Sequence, residues 1–422
     1  VLAAASPNLA PVGVAIAAGL GLIALVDAIG ASRSLAGIGV ELPPVVRMSK
    51  DRDGKLEVRI RNQRQQQRLL RIGLGLPVEV TSQVEEQDVI LPGTSEWSKL
   101  TWNCRPMMRG KFHAGPAYVE GVSTLGFWSS RKALPAESEI RVYPDLLTER
   151  SGLAALFLRR GILGLHVQRQ VGKGRDFEKL REYVAGDSFE DIHWKATARR
   201  ARPITKIFQI ERTQEVYVVI DASRLSARRT SPEGGPILER LVTSALVLGL
   251  AAQQQGDLFG LITFTNKVET FVRAKNGKAH YNLCRDALYT LQAQVVSPDF
   301  DELYTYIRLR LRRRALIIFL TSLDDPALAE SFVRNIELIR RQHLLLVNMI
   351  REPGMAPLFA DQNAESVDDL YQHLGNHLRW QKLRQLEKTL QRRGVRFSML
   401  DNERLSADLV NQYLTVKQKQ LI

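Results

Sequence analysis

Cysteine is nearly absent: Cys104 and Cys284 are the only two in 422 residues, and neither belongs to a metal-ligand spacing. That scarcity argues against a disulfide framework and reads as two reduced thiols in a reducing compartment. The chain also lacks a Gly-x-x-x-x-Gly-Lys-Ser/Thr loop, a Gly-x-Ser-x-Gly elbow and a His-Glu-x-x-His helix. Hydrolysis of ATP through a P-loop is therefore not expected, and neither is serine or zinc hydrolase chemistry of those types. No helix-turn-helix, zinc-finger or single-strand-binding motif accompanies the net charge of +14. The positive balance points to anionic lipid headgroups rather than to nucleic acid.

Charge itself is missing from Leu9 to Val26, a run that holds Val12, Val14, Ile16, Leu20, Leu22, Ile23 and Leu25. Eighteen helical residues rise about 27 Å, close to the roughly 30 Å of a hydrocarbon core. No Lys or Arg precedes Arg33, so the basic n-region of a secretory signal is not there. Arg33, Arg47, Lys50, Arg52 and Lys55 follow the run, and basic residues flanking a span stay on the cytoplasmic side. The expectation is an anchor helix over 9–30, within residues 1–39, in the inner (cytoplasmic) membrane with the soluble domains in the cytosol. A buried core helix is the alternative. The chain opens without Met inside apolar sequence (Val1, Leu2, Ala3), the pattern expected of a piece whose first membrane helix lies upstream.

With 422 residues, two or three domains are expected. Residues 40–145 read as all-β. Leu56, Val58 and Ile60 alternate with Glu57, Arg59 and Arg61 at period two, and short strand runs recur between turn residues. A β-sandwich-like domain is the economical reading. Residues 146–213 read as a linker with a dense charged block. From 214 to 422 strands and helices alternate, beginning with the continuous apolar run Val216–Ile220 that ends at Asp221. A strand buried on both faces has that composition, and the rhythm is that of a doubly wound α/β sheet. A long helix over 367–390 carries Leu370, Leu374, Leu378, Leu383, Leu386 and Leu390 near one face.

Three places could carry function. Asp221 stands at the carboxyl end of the first α/β strand, where open parallel sheets place ligands, and Ser223 and Ser226 follow it. A carboxylate followed by hydroxyls suits Mg²⁺, and it equally suits a loop cap. The second place is the block from Gly174 through Arg175, Arg181, Gly186 and Asp187 to Trp194, Lys195 and Arg199. It serves either as a clamp on the sheet or as an arginine-rich anion site, and Asp187, Asp191 and His193 would be its metal or acid-base set. The third is the basic run Arg308, Arg310, Arg312, Arg313 and Arg314, a solvated helix end or a docking surface for an acidic partner.

The stretch from Gly174 to Arg199, running on to Asp221, resembles the signature of the bacterial family called domain of unknown function 58. Arg109-Gly110-Lys111-Phe112, Gly115-Pro116 and Val142-Tyr143-Pro144 are similar to strands of that family's β-domain, although Ser123-Thr124 replaces its usual aspartate-proline. The resemblance implies a von Willebrand factor A-like fold for the α/β domain. It also implies a membrane-anchored, non-enzymatic interaction scaffold that partners a MoxR-type AAA+ ATPase in assembling a client complex. A full adhesion-type metal site has an Asp-x-Ser-x-Ser strand end, a separate Thr and a later Asp; this chain has Leu225 at the second serine and Ser322 at the later Asp. Too few oxygens remain at Asp221 and Ser223 to hold a divalent ion tightly, so no resident cofactor is expected. A Mg²⁺-dependent adhesion module is the rival reading, and a hydrolase the remoter one.

Overall fold

The computed structural model describes residues 10–147, 149, 170–184, 187–210, 214–229, 235–352, 354–355, 357 and 366–419. They fall into two compact units, residues 1–145 and 146–422.

The first unit opens with α1 (Ala10–Ser34), of which Val12–Ala31 is long and apolar enough to cross a membrane and only 6% buried. Eleven strands follow: β1 (Ile38–Glu41), β2 (Val45–Ser49), β3 (Gly54–Asn62), β4 (Arg68–Leu74), β5 (Val80–Ser82), β6 (Glu86–Leu91), β7 (Trp97–Pro106), β8 (Gly110–Ala114), β9 (Ala117–Val122), β10 (Ser129–Leu134) and β11 (Ser138–Tyr143). They form sheets in the orders β1-β3-β7-β5, β10-β9-β4-β6 and β2-β11-β8. The alternation predicted for β3 is realised, with Leu56, Val58 and Ile60 fully buried beside Trp102, Leu70 and Ile72. Four strands escaped the sequence reading (β1, β2, β6 and β10). β6 and β10 carry mostly half-buried or exposed side chains, which leaves no clean two-residue period to detect.

Within residues 146–213, expected as linker with a charged block, the described residues include strands and a helix. β12 (Gln170–Glu182) pairs antiparallel with β13 (Ile204–Ile210), and the short helix α2 (Trp194–Arg200) lies between them in sequence.

The second unit continues with β14 (Glu215–Asp221), α3 (Ile237–Gln254), β15 (Leu258–Phe264), β16 (Val268–Lys275), α4 (Lys278–Leu288), α5 (Phe300–Arg310), β17 (Leu316–Leu320), α6 (Pro326–Asn335), α7 (Glu337–Arg340), β18 (Leu344–Ile350), α8 (Val367–Arg392), β19 (Arg396–Leu400) and α9 (Leu405–Gln418). One six-stranded sheet runs β16-β15-β14-β17-β18-β19. All its pairings are parallel except that of the edge strand β16. Separate apolar cores cover its two faces, one under α3, α4 and α9, the other under α5 to α8. The leucine stripe predicted on α8 divides. Leu383 and Leu390 are buried, whereas Leu370, Leu374 and Leu378 are exposed, so only the second half of the helix packs on the sheet.

Candidate functional site

Numbered within its own sheet, the six-stranded order is 3-2-1-4-5-6, and the chain reverses direction of travel between β14 and β17. Crevices outside the carboxyl ends of strands at such a reversal are where open α/β sheets bind ligands. Asp221 ends β14 there and is fully buried. Its Oδ1 accepts the Ser223 backbone N–H at 2.8 Å, and its Oδ2 accepts the Thr321 hydroxyl from the end of β17 at 2.6 Å. The Ser226 hydroxyl donates to the Asp221 carbonyl. Burial pushes the Asp221 carboxyl above its ordinary range, and the hydrogen bonds from Thr321 and Ser223 only partly offset this. Asp221 thus braces the two central strands across the switch point.

A cation does sit close by, and it is a side chain. The Arg228 guanidinium makes a two-pronged bond to Asp324, Nη1 to Oδ2 at 2.7 Å and Nη2 to Oδ1 at 2.8 Å. The same Nη1 reaches Glu352 at 3.1 Å, and Arg379 approaches the other oxygen of Glu352 at 3.4 Å. Burial opposes ionisation of Asp324, but the Arg228 fork outweighs it and holds the carboxyl below its usual range. Arg228 itself is raised, chiefly by that bond.

These residues make a poor divalent-ion site. Each Asp221 oxygen already accepts one protein donor and keeps a single further acceptor position, the Arg228 guanidinium covers both Asp324 oxygens, and Leu225 is a buried apolar side chain where a ligand hydroxyl would be needed. Among the described residues no group of three or more His, Cys, Asp or Glu side chains is arranged to hold a metal. Thr321, Arg228 and Glu352 are the members of the cluster that sequence reasoning missed. Their positions along the chain carry no spacing signal, because the fold alone brings three strand ends together.

The charged block is placed as follows. Asp187 accepts the Val184 N–H at 3.1 Å, pairs with Arg181 at 2.7 Å and takes the Thr205 hydroxyl at 3.4 Å. The Val184 N–H, with Arg181, holds its carboxyl below the usual range. His193 caps α2, its Nδ1 accepting the Ala196 N–H at 3.0 Å. Asp187 and His193 are thus each engaged in local structure, and with Asp191 they do not assemble into the metal set considered for a hydrolase. Trp194, Lys195 and Arg199 point to solvent on α2, near the exposed Phe189, which stacks on Tyr183 at 5.8 Å. Arg175 lies on β12, and Gly186 lies outside the described residues. In the basic run, Arg310 stacks on Tyr306 and Arg313 reaches Glu215 at 3.9 Å. The run precedes β17, at the sheet end opposite to Asp221.

Residues 179–358 match the family model described as "Protein of unknown function DUF58". No curated protein matches the chain. Among solved structures, the CARDB domain of the PF1109 protein from Pyrococcus furiosus is similar at 16% identity, over 26% of this chain and 94% of that one, with a TM-score of 0.20. Proximal thread matrix protein 1 from the mussel byssus is similar at 13% identity, over 48% of this chain and 46% of that one, with a TM-score of 0.28. Likenesses at these scores carry no argument.

Proposed function

We propose that this chain is a membrane-anchored interaction scaffold whose von Willebrand factor A-like domain works without a metal and without making or breaking covalent bonds. One observation carries the reading: at the strand tips the carboxylates of Asp221 and Asp324 are consumed by Thr321, Ser223 and Arg228. Groups engaged in this way keep fewer acceptor positions for an ion or a proton, which supports a reading in which recognition falls to side chains left exposed. The sheet order, with its antiparallel third strand, supports the von Willebrand A-like reading. The match over residues 179–358 supports the family from which the MoxR-type AAA+ ATPase partner is inferred. The basic residues that follow α1 favour a cytoplasmic position for both units.

Two exposed surfaces suit protein contacts. One is the segment around α2, where Val184, Phe189, Trp194, Lys195 and Arg199 are each exposed; the other is the Leu370, Tyr371, Leu374 and Leu378 stripe on α8. Aromatic side chains ringed by cations are the usual anchors of protein interfaces.

The test is capture from native membranes with the detergent-solubilised full chain, read by mass spectrometry. A MoxR-type ATPase should be retained in EDTA, and Trp194→Ala should lower retention about tenfold, the effect of losing one anchor of about 1.4 kcal/mol. Recovery of background proteins alone would remove the scaffold reading. Retention that requires Mg²⁺ and is lost in Asp221→Ala would favour the adhesion-type module instead.

A further inference from the structure

Asp27 is the one charged residue in the apolar stretch Val12–Ala31. It is also one of the few buried positions on a helix whose other large side chains are exposed. What buries it is the turn between β9 and β10. The Ser123 hydroxyl donates to Asp27 Oδ2 at 2.5 Å, the Leu125 N–H to Oδ1 at 3.0 Å and the Phe127 N–H to Oδ2 at 3.2 Å. The Trp128 indole N–H donates to the Ala24 carbonyl at 2.9 Å. The turn is therefore clipped to the side of the helix, within the segment that is apolar enough to lie in a bilayer. Ala24 lies seven residues before Ala31, about 10 Å along the helix axis.

The turn's apolar side chains stay largely exposed. Leu125, Phe127 and Trp128 are 60%, 59% and 51% exposed, in a turn bonded to the helix at Ala24 and Asp27, and Leu22, Leu25 and Val26 on α1 are exposed as well. A soluble loop seldom presents three such residues together. Cations collect on the β-domain side of this patch. Arg33, Arg64 and Arg68 line a groove that also touches Gly30, Ser123 and Thr124.

We propose that the Leu125–Trp128 turn is a second membrane contact: a hairpin wedge in the interfacial layer beside α1, clipped there by Asp27, with Arg33 and Arg64 against lipid phosphates. This rests on the reading of α1 as a membrane span. The arrangement solves two costs at once. Backbone N–H groups of a turn in lipid need acceptors, and a carboxylate in lipid needs donors; here each supplies the other. An aromatic pair with an indole N–H suits the layer where apolar and polar matter meet. A single helix leaves the β-domain free to swivel, whereas two attachment points fix its face toward the membrane.

The experiment uses the full chain in vesicles of phosphatidylcholine and phosphatidylglycerol, with spin-labelled lipids as quenchers. An environment-sensitive dye is placed at Phe127→Cys, at Leu20→Cys in the helix or at the exposed Val78→Cys; the two native thiols are buried. Quenching at position 127 should come within a factor of about two of that at position 20, as for an interfacial apolar segment, with none at position 78. If position 20 is quenched and position 127 is not, the wedge is wrong while the anchor stands. If neither is quenched, the anchor reading fails and takes the wedge with it. Asp27→Ala should abolish most of the quenching at 127 and leave that at 20; undiminished quenching would overturn the clip.

Discussion

Asp221 concentrates the chemistry of one residue into a sharp prediction. Its carboxyl is raised by burial, so the fold prefers the protonated form. A carboxyl whose folded pKa lies above its unfolded value contributes stability that is present below the unfolded pKa and lost as pH rises through the folded one. At pH 7, well above the unfolded value, burying this carboxyl therefore works against the fold. Asparagine keeps an acceptor for the Ser223 N–H and offers an amide N–H to the Thr321 hydroxyl in the same volume. Asp221→Asn should match or exceed the parent in urea midpoint at pH 7, and its advantage should shrink as the pH falls toward 4. Asp221→Ala orphans two buried donors and should cost about 1–3 kcal/mol. A strongly destabilised Asp221→Asn at pH 7 would mean that the negative charge itself is needed, as an ion site would require.

At the scale of elements, the C-terminal helix is fixed by a buried ion pair that its sequence does not advertise. Lys417 on α9 reaches Asp257, just before β15, at 2.8 Å and the Gln255 carbonyl at 2.9 Å. Asp257 also accepts the Tyr413 hydroxyl and, at 3.1 Å, the Gln214 N–H. Asp257 is 1% exposed and Lys417 19% exposed, so Lys417→Met leaves a buried carboxylate with neutral donors and no countercharge from α9. The expected loss is about 3 kcal/mol, with faster hydrogen exchange along α9. Adding Asp257→Asn should recover much of it; no recovery would mean that Lys417 acts through packing alone. Elements were legible where burial is two-sided or strictly alternating: Val216–Ile220 and Leu56–Ile60 announce their strands. They were illegible where partners come from afar. β12 runs into the charged block and pairs with β13 beyond it through irregular register shifts that follow no hydrophobic period, and α8 shows a leucine stripe of which half meets no core. For the candidate site the same division holds. Asp221 is visible as the polar end of an apolar run, but Arg228 is visible only once Asp324 stands opposite it.

For the whole molecule, the two units have separate hydrophobic cores, one drawn from residues 35–142 and two from residues 216–416. Calorimetry of the detergent-solubilised chain should resolve two transitions, and pH should identify the second. His343, at the start of the strand β18, is 3% exposed, and neither ring nitrogen has a hydrogen-bond partner among the described residues. Burial pushes its pKa down to about 4 from the ordinary 6.5. A depressed histidine leaves stability intact above the unfolded pKa, where both states are neutral. As pH falls from 6.5 toward 4 the unfolded chain takes up the proton first, so stability drains away across that window. Between pH 7 and pH 5 the loss is about 2 kcal/mol, or roughly 4–8 °C in the transition of the second unit. His343→Leu should flatten that slope and leave the other transition where it was. A pH slope unchanged by His343→Leu would assign the sensitivity to surface carboxylates, and a single transition shifting as one would show that the two cores melt together.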